Sequence, residues 1–147
     1  MSRFPSDPTS EGTATLDGEF DRSRSLEQLD GRRWRQPEPE ATRLIREAHR
    51  RRVIPMRELA IEDLRLLIGQ RIGLEFVIPV ALERLRDDPL SAGDLYPGDL
   101  LTAVLRVLAT FWKAQPALAC QLREILADVT DRPTEIADAI EAFSTGR

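Results

Sequence analysis

From Leu26 onward, apolar residues recur every three or four positions along almost the whole chain, and no run alternates in twos as a half-buried strand would. The clearest stretch is Ile61, Leu64, Leu67, Ile68 and Ile72, one face of a helix whose start carries Glu62 and Asp63 at the positive end of the dipole. A second helix is expected from Leu74 to Arg86, with Val77, Ile78, Ala81, Leu82 and Leu85 inward and Pro79 bending it. Asp87-Asp88-Pro89 stops it. Pro97 is placed to open the next helix, carrying Leu100, Leu101, Val104, Leu105 and Leu108, with Phe111 and Trp112 closing that layer. Pro116 opens another, with Leu118, Leu122, Ile125, Leu126 and Val129 on one side, and Thr134 caps a last helix bearing Ile136, Ile140 and Phe143.

The earlier part of the chain is less regular. Residues 1–24 are rich in Ser, Thr, Asp, Gly, Pro and Arg, with only Phe4, Leu16 and Phe20 to bury, so a flexible, disordered N-terminal tail is expected. Structure should begin at Ser25-Leu26-Glu27-Gln28, which has the Ser-x-x-Gln spacing of a capping box, and Gly31 should end that short helix. Trp34 is expected over the domain edge. Pro39 suits the first position of a helix running to about Arg51, with Leu44, Ile45 and Ala48 inward and Arg43, Arg46, Arg50 and Arg51 outward. Gly69 and Gly73, four apart, either admit a neighbouring helix closely or mark the helix end. The pattern predicts an all-α protein, an irregular single-domain helical bundle of about six or seven helices over residues 25–147.

Charge changes the picture of partners. The 147-residue chain has a net charge of −4, which argues against nucleic acid as the default partner. Residues 25–54 hold eight arginines against five acids, while residues 87–147 hold ten acids against five bases. The acidic half could complement a basic partner, although solvated helix faces explain most such runs. Neither a cationic stretch followed by an apolar run nor an apolar span of about 18 residues is present, so a cytoplasmic protein without a membrane partner is expected.

Candidate chemistry is sparse. His49 is the only histidine and sits in an arginine-rich turn, where a surface or boundary role is expected. Cys120 is the only cysteine, so no internal disulfide can form, and a small, partly buried hydrophobe is its expected role. Gly93-x-x-x-x-Gly98 lacks the lysine and hydroxyl of a phosphate loop. Asp94 and Asp99 share that loop, but their spacing does not match an EF-hand. Neither metal, cofactor nor enzymatic activity is expected. The Gly93–Gly98 loop should be exposed, and Tyr96, the only tyrosine, is either an anchor for a partner or a lid folded back on the helix that follows. Asp87, Asp88, Asp94, Tyr96 and Asp99 are the expected partner-binding residues.

The block from Ser25 to Trp112 resembles the immunity proteins of contact-dependent growth inhibition (CDI) systems. The resemblance runs through Leu26-Glu27-Gln28-Leu29, Trp34, Glu62-Asp63-Leu64-Arg65, Ile68-Gly69-Gln70 and Ile72-Gly73-Leu74. It continues in Ile78-Pro79, Ala81-Leu82, Gly93-Asp94, Tyr96, Gly98-Asp99-Leu100-Leu101 and Phe111-Trp112. The chain departs from the pattern at Ala60, where that family tends to carry a threonine cap; the tail before Arg24 has no counterpart, and the region after about Pro116 is too generic to carry the match. The resemblance implies a cytoplasmic protein that binds and neutralises the C-terminal toxin domain of a cognate effector by steric occlusion. Such toxins are often nucleases with basic clefts, which an acidic inhibitor would suit. The alternative is an intracellular helical adaptor or regulatory subunit, nucleic-acid associated through the Arg43–Arg52 face. Oligomeric state is left open.

Overall fold

A computed structural model describes residues 20–31, 37–129 and 134–144. They form α1 (Leu26–Asp30), α2 (Arg43–Arg51), a 3-10 turn (Met56–Glu58), α3 (Ile61–Gly69), α4 (Leu74–Asp87), α5 (Asp99–Leu105), α6 (Ala109–Ala114), α7 (Pro116–Ala127) and α8 (Thr134–Ser144). No strand occurs among the described residues; the fold is all-α, with one helix more than the upper expectation because Phe111 and Trp112 lie on a separate short helix.

The body is built around α4. Every residue from Phe76 to Leu82 is buried, together with Leu85, which is what a helix surrounded by others requires. It packs on α3, α5 and α7, while α5 also packs on α3 and α8. Pro79 lies inside this helix, and the helix runs on through it. Its missing N–H costs one backbone bond, which the packing of both neighbouring turns outweighs. Edge-to-face contacts of Trp112 with Phe111 and Phe143, at centroid distances of 5.1 and 5.6 Å, tie α6 to α8.

Local signals set several ends as expected. Ser25 Oγ accepts from the Gln28 amide at 3.3 Å and Gln28 Oε1 accepts from the Ser25 amide at 2.9 Å, a complete capping box. Gly31 closes α1 in the left-handed conformation with φ 70°. Gly73, at φ 60°, is the joint before α4, where a Cβ would also lie 2.6 Å from a methyl of Leu26. Pro116 is the first residue of α7. Gly69 is exposed and admits no helix: nothing lies within 4 Å of a Cβ built there.

Four expectations are corrected. The helix expected from Pro39 starts at Arg43, capped by Thr42 Oγ1, which accepts from the Ile45 amide at 3.2 Å. Its inward face is also different. Leu44 and Ile45 are 43% and 51% exposed, whereas Arg51 is buried beside Ala48. The cause is electrostatic: Arg51 Nε donates to Asp63 Oδ1 at 2.6 Å, and the next residue, Arg52, grips both carboxylate oxygens of Asp30 at 2.8 and 3.1 Å. Helix α5 starts at Asp99 rather than Pro97, with Gly98 as its cap at φ 91°. Cys120 is exposed on α7, on the side away from Leu118 and Leu122.

Packing onto the domain also includes residues before Ser25. Phe20 is half-buried and packs edge-to-face on Phe76 at 5.4 Å, with the Arg22 guanidinium 3.9 Å above its ring. Arg22 Nη2 meets Glu83 Oε2 at 2.5 Å, and the carbonyls of Arg22 and Arg24 accept from the amides of Arg57 and Met56, each at 2.9 Å. Residues 20–24 are therefore part of the domain; the rest of the expected tail, and Trp34, lie outside the described residues. Phe20→Ala is expected to destabilise the protein by about 1–2 kcal/mol, less than a fully buried phenylalanine would. Denaturant unfolding followed by circular dichroism checks this, and an unchanged midpoint would show that the segment contributes nothing.

Candidate partner-binding surface

The connection from Asp88 to Gly98 leaves the end of α4 and returns to the start of α5. Its first turn is set by Asp88, whose Oδ1 accepts from the Leu90 amide at 3.1 Å and whose carbonyl accepts from Ser91 Oγ at 2.6 Å. Three consecutive amides then point inward onto two carboxylates. Gly93 N donates to Asp99 Oδ1 at 2.7 Å, Asp94 N to Glu62 Oε1 at 2.9 Å, and Leu95 N to Asp99 Oδ2 at 3.0 Å. Arg65, one turn after Glu62 on α3, donates its Nε to Glu62 Oε1 at 2.7 Å and its Nη2 to Glu62 Oε2, and lies 3.8 Å from Asp99 Oδ2. One guanidinium thus neutralises both carboxylates, so amides that would face water in an ordinary loop are satisfied inside.

The sequence around this clamp follows from it. A Cβ at Gly93 would lie 2.5 Å from Glu62 Oε1 and 3.0 Å from Asp99 Oδ2, so only glycine lets the backbone come this close. The adjacent acids of α3 divide their work. Glu62 holds the loop, while Asp63 accepts from the Ala60 amide at 2.8 Å and pairs with Arg51 of α2. That bond is one half of a capping box; the other half, which a threonine hydroxyl at position 60 would supply to the Asp63 amide, is absent at Ala60. Glu62 is held below the usual carboxylate range, first by the Arg65 hydrogen bond and also by the Asp94 amide, against the opposing effect of burial.

Among the expected partner-binding residues, the structure separates surface from scaffold. Asp94 is exposed and Tyr96 is half-buried, while Asp87 and Asp88 are exposed at the α4 end of the connection. Asp99 is 2% exposed, and both its oxygens are committed to the loop, so it shapes the surface, lining the neighbouring groove without a free oxygen to offer. Leu95, which sequence reasoning passed over, is 62% exposed. Beside the loop, between α3 and α5, lies an open groove of about 270 Å³ lined by Leu95, Tyr96, Ile68, Ala103 and three arginines: Arg65, Arg71 and Arg106. Arg71 is the one non-glycine residue with positive φ (58°) among those described. That conformation costs about 1 kcal/mol or more for an L side chain.

No group of three or more His, Cys, Asp and Glu residues placed to hold a metal occurs among the described residues. Nor is any described helix long and apolar enough to cross a membrane. Comparison with protein families decides the relationship: the model for CDI immunity proteins matches residues 28–122, nearly two-thirds of the chain. The chain belongs to the CDI immunity protein family. No curated protein sequence matches it significantly. Glu62, Arg65, Gly93 and Asp99, the parts of the clamp, all fall inside the matched span of this immunity protein, as does the groove. Helix α8 falls outside it.

Two predictions follow from the clamp. Asp99→Ala leaves two inward amides without an acceptor and Arg65 undercompensated, so a loss of about 2–3 kcal/mol is expected in chemical denaturation. A loss comparable to that of a surface substitution would show that water replaces the carboxylate. Acid sensitivity is the second. Glu62 is depressed below the usual 4.5, and Glu47, bonded to Arg51 and Arg50, is depressed to about 2. Both bind more protons unfolded than folded, so their contribution is full above pH 4.5 and drains away as pH falls towards 2. Melting temperatures of Glu47→Gln and Glu62→Gln should therefore converge on that of the parent in this acid window.

Proposed function

We propose that this immunity protein binds the C-terminal toxin domain of its cognate CDI effector in the cytoplasm and neutralises it by occluding the toxin's working surface. Membership of the family over residues 28–122 is the observation that carries this reading. The clamped loop supports it physically. With its amides fixed inward, the loop presents Asp94, Leu95 and Tyr96 in a conformation that does not have to be ordered on binding, which lowers the entropic cost of association. Tyr96 half-seated at the groove is suited to anchor a contact ringed by polar groups. Asp87 and Asp88, exposed and unclamped by α3, would act on encounter with a basic surface more than on the final complex.

Co-expression with the C-terminal toxin domain of the cognate effector tests the proposal: the parent should restore growth and co-purify with the toxin. Tyr96→Ala combined with Asp94→Asn should weaken the complex by about 2 kcal/mol, at a stability cost below about 1 kcal/mol. Full protection by the double variant at limiting expression would move the interface off this loop.

A further inference from the structure

The groove between α3 and α5 has a composition that the rest of this acidic protein does not lead one to expect. Arg71 enters it from the corner between α3 and α4, and Arg106 from the end of α5. Both are exposed, and neither has an acidic partner in an ion pair among the described residues. Arg65 and Asp99 also line the groove, but the charge of Arg65 is consumed by Glu62 and Asp99, and the Asp99 oxygens are taken up by the loop amides. Between the two open guanidiniums lies apolar lining from Ile68, Ala103 and Leu95, with Tyr96 alongside. Gly69 leaves the α3 wall bare, since nothing lies within 4 Å of a Cβ built there. Arg71 holds its place in a left-handed conformation that a glycine or asparagine would adopt more easily. That turn closes α3, Arg71 N donating to the Ile68 carbonyl at 3.0 Å and Ile72 N to the Leu67 carbonyl at 2.9 Å, so the fold itself fixes the backbone from which this side chain reaches the groove.

Size and charge restrict the occupant. A volume of about 270 Å³ lies below the range of roughly 300–1,000 Å³ usual for small-molecule pockets, and suits one or two side chains of a protein loop. Two cations with no internal carboxylate call for acidic groups on that loop. A polyanion such as RNA fits less well, because the exposed Asp94 flanks the same loop and the chain carries a net charge of −4.

We propose that this groove takes an acidic segment of the toxin domain, its carboxylates on Arg71 and Arg106 and a neighbouring apolar side chain against Leu95. The inference rests on the toxin-binding function proposed above and adds to it the chemistry of the partner's docking element.

The test uses the full chain and the C-terminal toxin domain of the cognate effector, with affinity measured by calorimetry. Arg71→Glu combined with Arg106→Glu should weaken binding on the order of 30-fold or more with an unchanged melting temperature, since both side chains are exposed. The same charge change on α2, Arg43→Glu with Arg46→Glu, controls for net charge and should weaken binding far less. Arg71→Gly separates contact from scaffold: relief of the positive φ should hold or raise the melting temperature while affinity falls. Acidic-to-lysine substitutions in the toxin that restore binding to the double-glutamate variant would identify the docked segment. Unchanged affinity of the double-glutamate variant for a toxin that the parent binds would overturn the groove assignment alone. If the parent does not bind the toxin domain, the toxin-binding function and this occupant fall together. Binding of a 20-nucleotide single-stranded RNA by the parent, lost in the double-glutamate variant, would overturn the assignment in favour of nucleic acid.

Discussion

Two carboxylates holding three successive backbone amides are the constraint from which the functional half of the molecule is built. Glu62 comes from α3, Asp99 from α5, and the amides of residues 93, 94 and 95 lie between them. Because each carboxylate belongs to a different helix, the loop cannot keep its bonds unless α3 and α5 keep their spacing. That spacing is also the width of the groove. Arg65 makes the arrangement possible by compensating both acids at once, since the buried Asp99 and the half-buried Glu62 would otherwise repel each other. Hydrophobic burial around α4 supplies the bulk of stability; the clamp decides the shape of one face.

A comparable use of charge attaches α2. This helix meets the body chiefly through α3, and its contact is organised by Arg51 on Asp63 and by Arg52 on Asp30. Buried guanidiniums are costly to desolvate and are weak sources of net stability even when well paired. What they provide is direction, because a bidentate pair accepts one approach while an apolar face accepts many. Both interactions of α3 therefore start from neighbouring acids, Glu62 towards the loop and Asp63 towards α2. The first turn of α3 is the junction at which the two charged attachments meet.

How much of this was legible in the sequence depended on range. Features closed within a few residues were readable: the Ser25–Gln28 capping box, Gly31 at the end of α1, the proline opening α7, and the apolar spacing of α3, α4 and α7, although α3 stops at Gly69, short of Ile72. Features that depend on a partner distant in the chain were not. The periodicity of α2 showed which residues share a face, but the choice of face was made by Asp63 and Asp30, 12 and 22 residues from their arginines. Asp99 looked like a surface acid because acids usually are, and nothing local announced that amides 93 and 95 would converge on it. Gly93 carried the available hint, as a glycine in a loop with ordinary φ implies a close neighbour. Cys120 stands among Leu118, Ala119 and Leu122, yet at the helical angle that faces out. Arg71 had no sequence signal: a left-handed arginine is indistinguishable from any other until the corner is built.

Because the clamp bonds to backbone and not to side chains, the residues it displays are released from structural duty. The side chains at positions 94 and 95 are exposed and contribute no bond to the loop that carries them. Substitution there changes what the surface offers without removing a bond that holds the loop. At Asp94 and Leu95 the backbone faces inward to hold the loop while the side chain faces out, so the two can be altered separately.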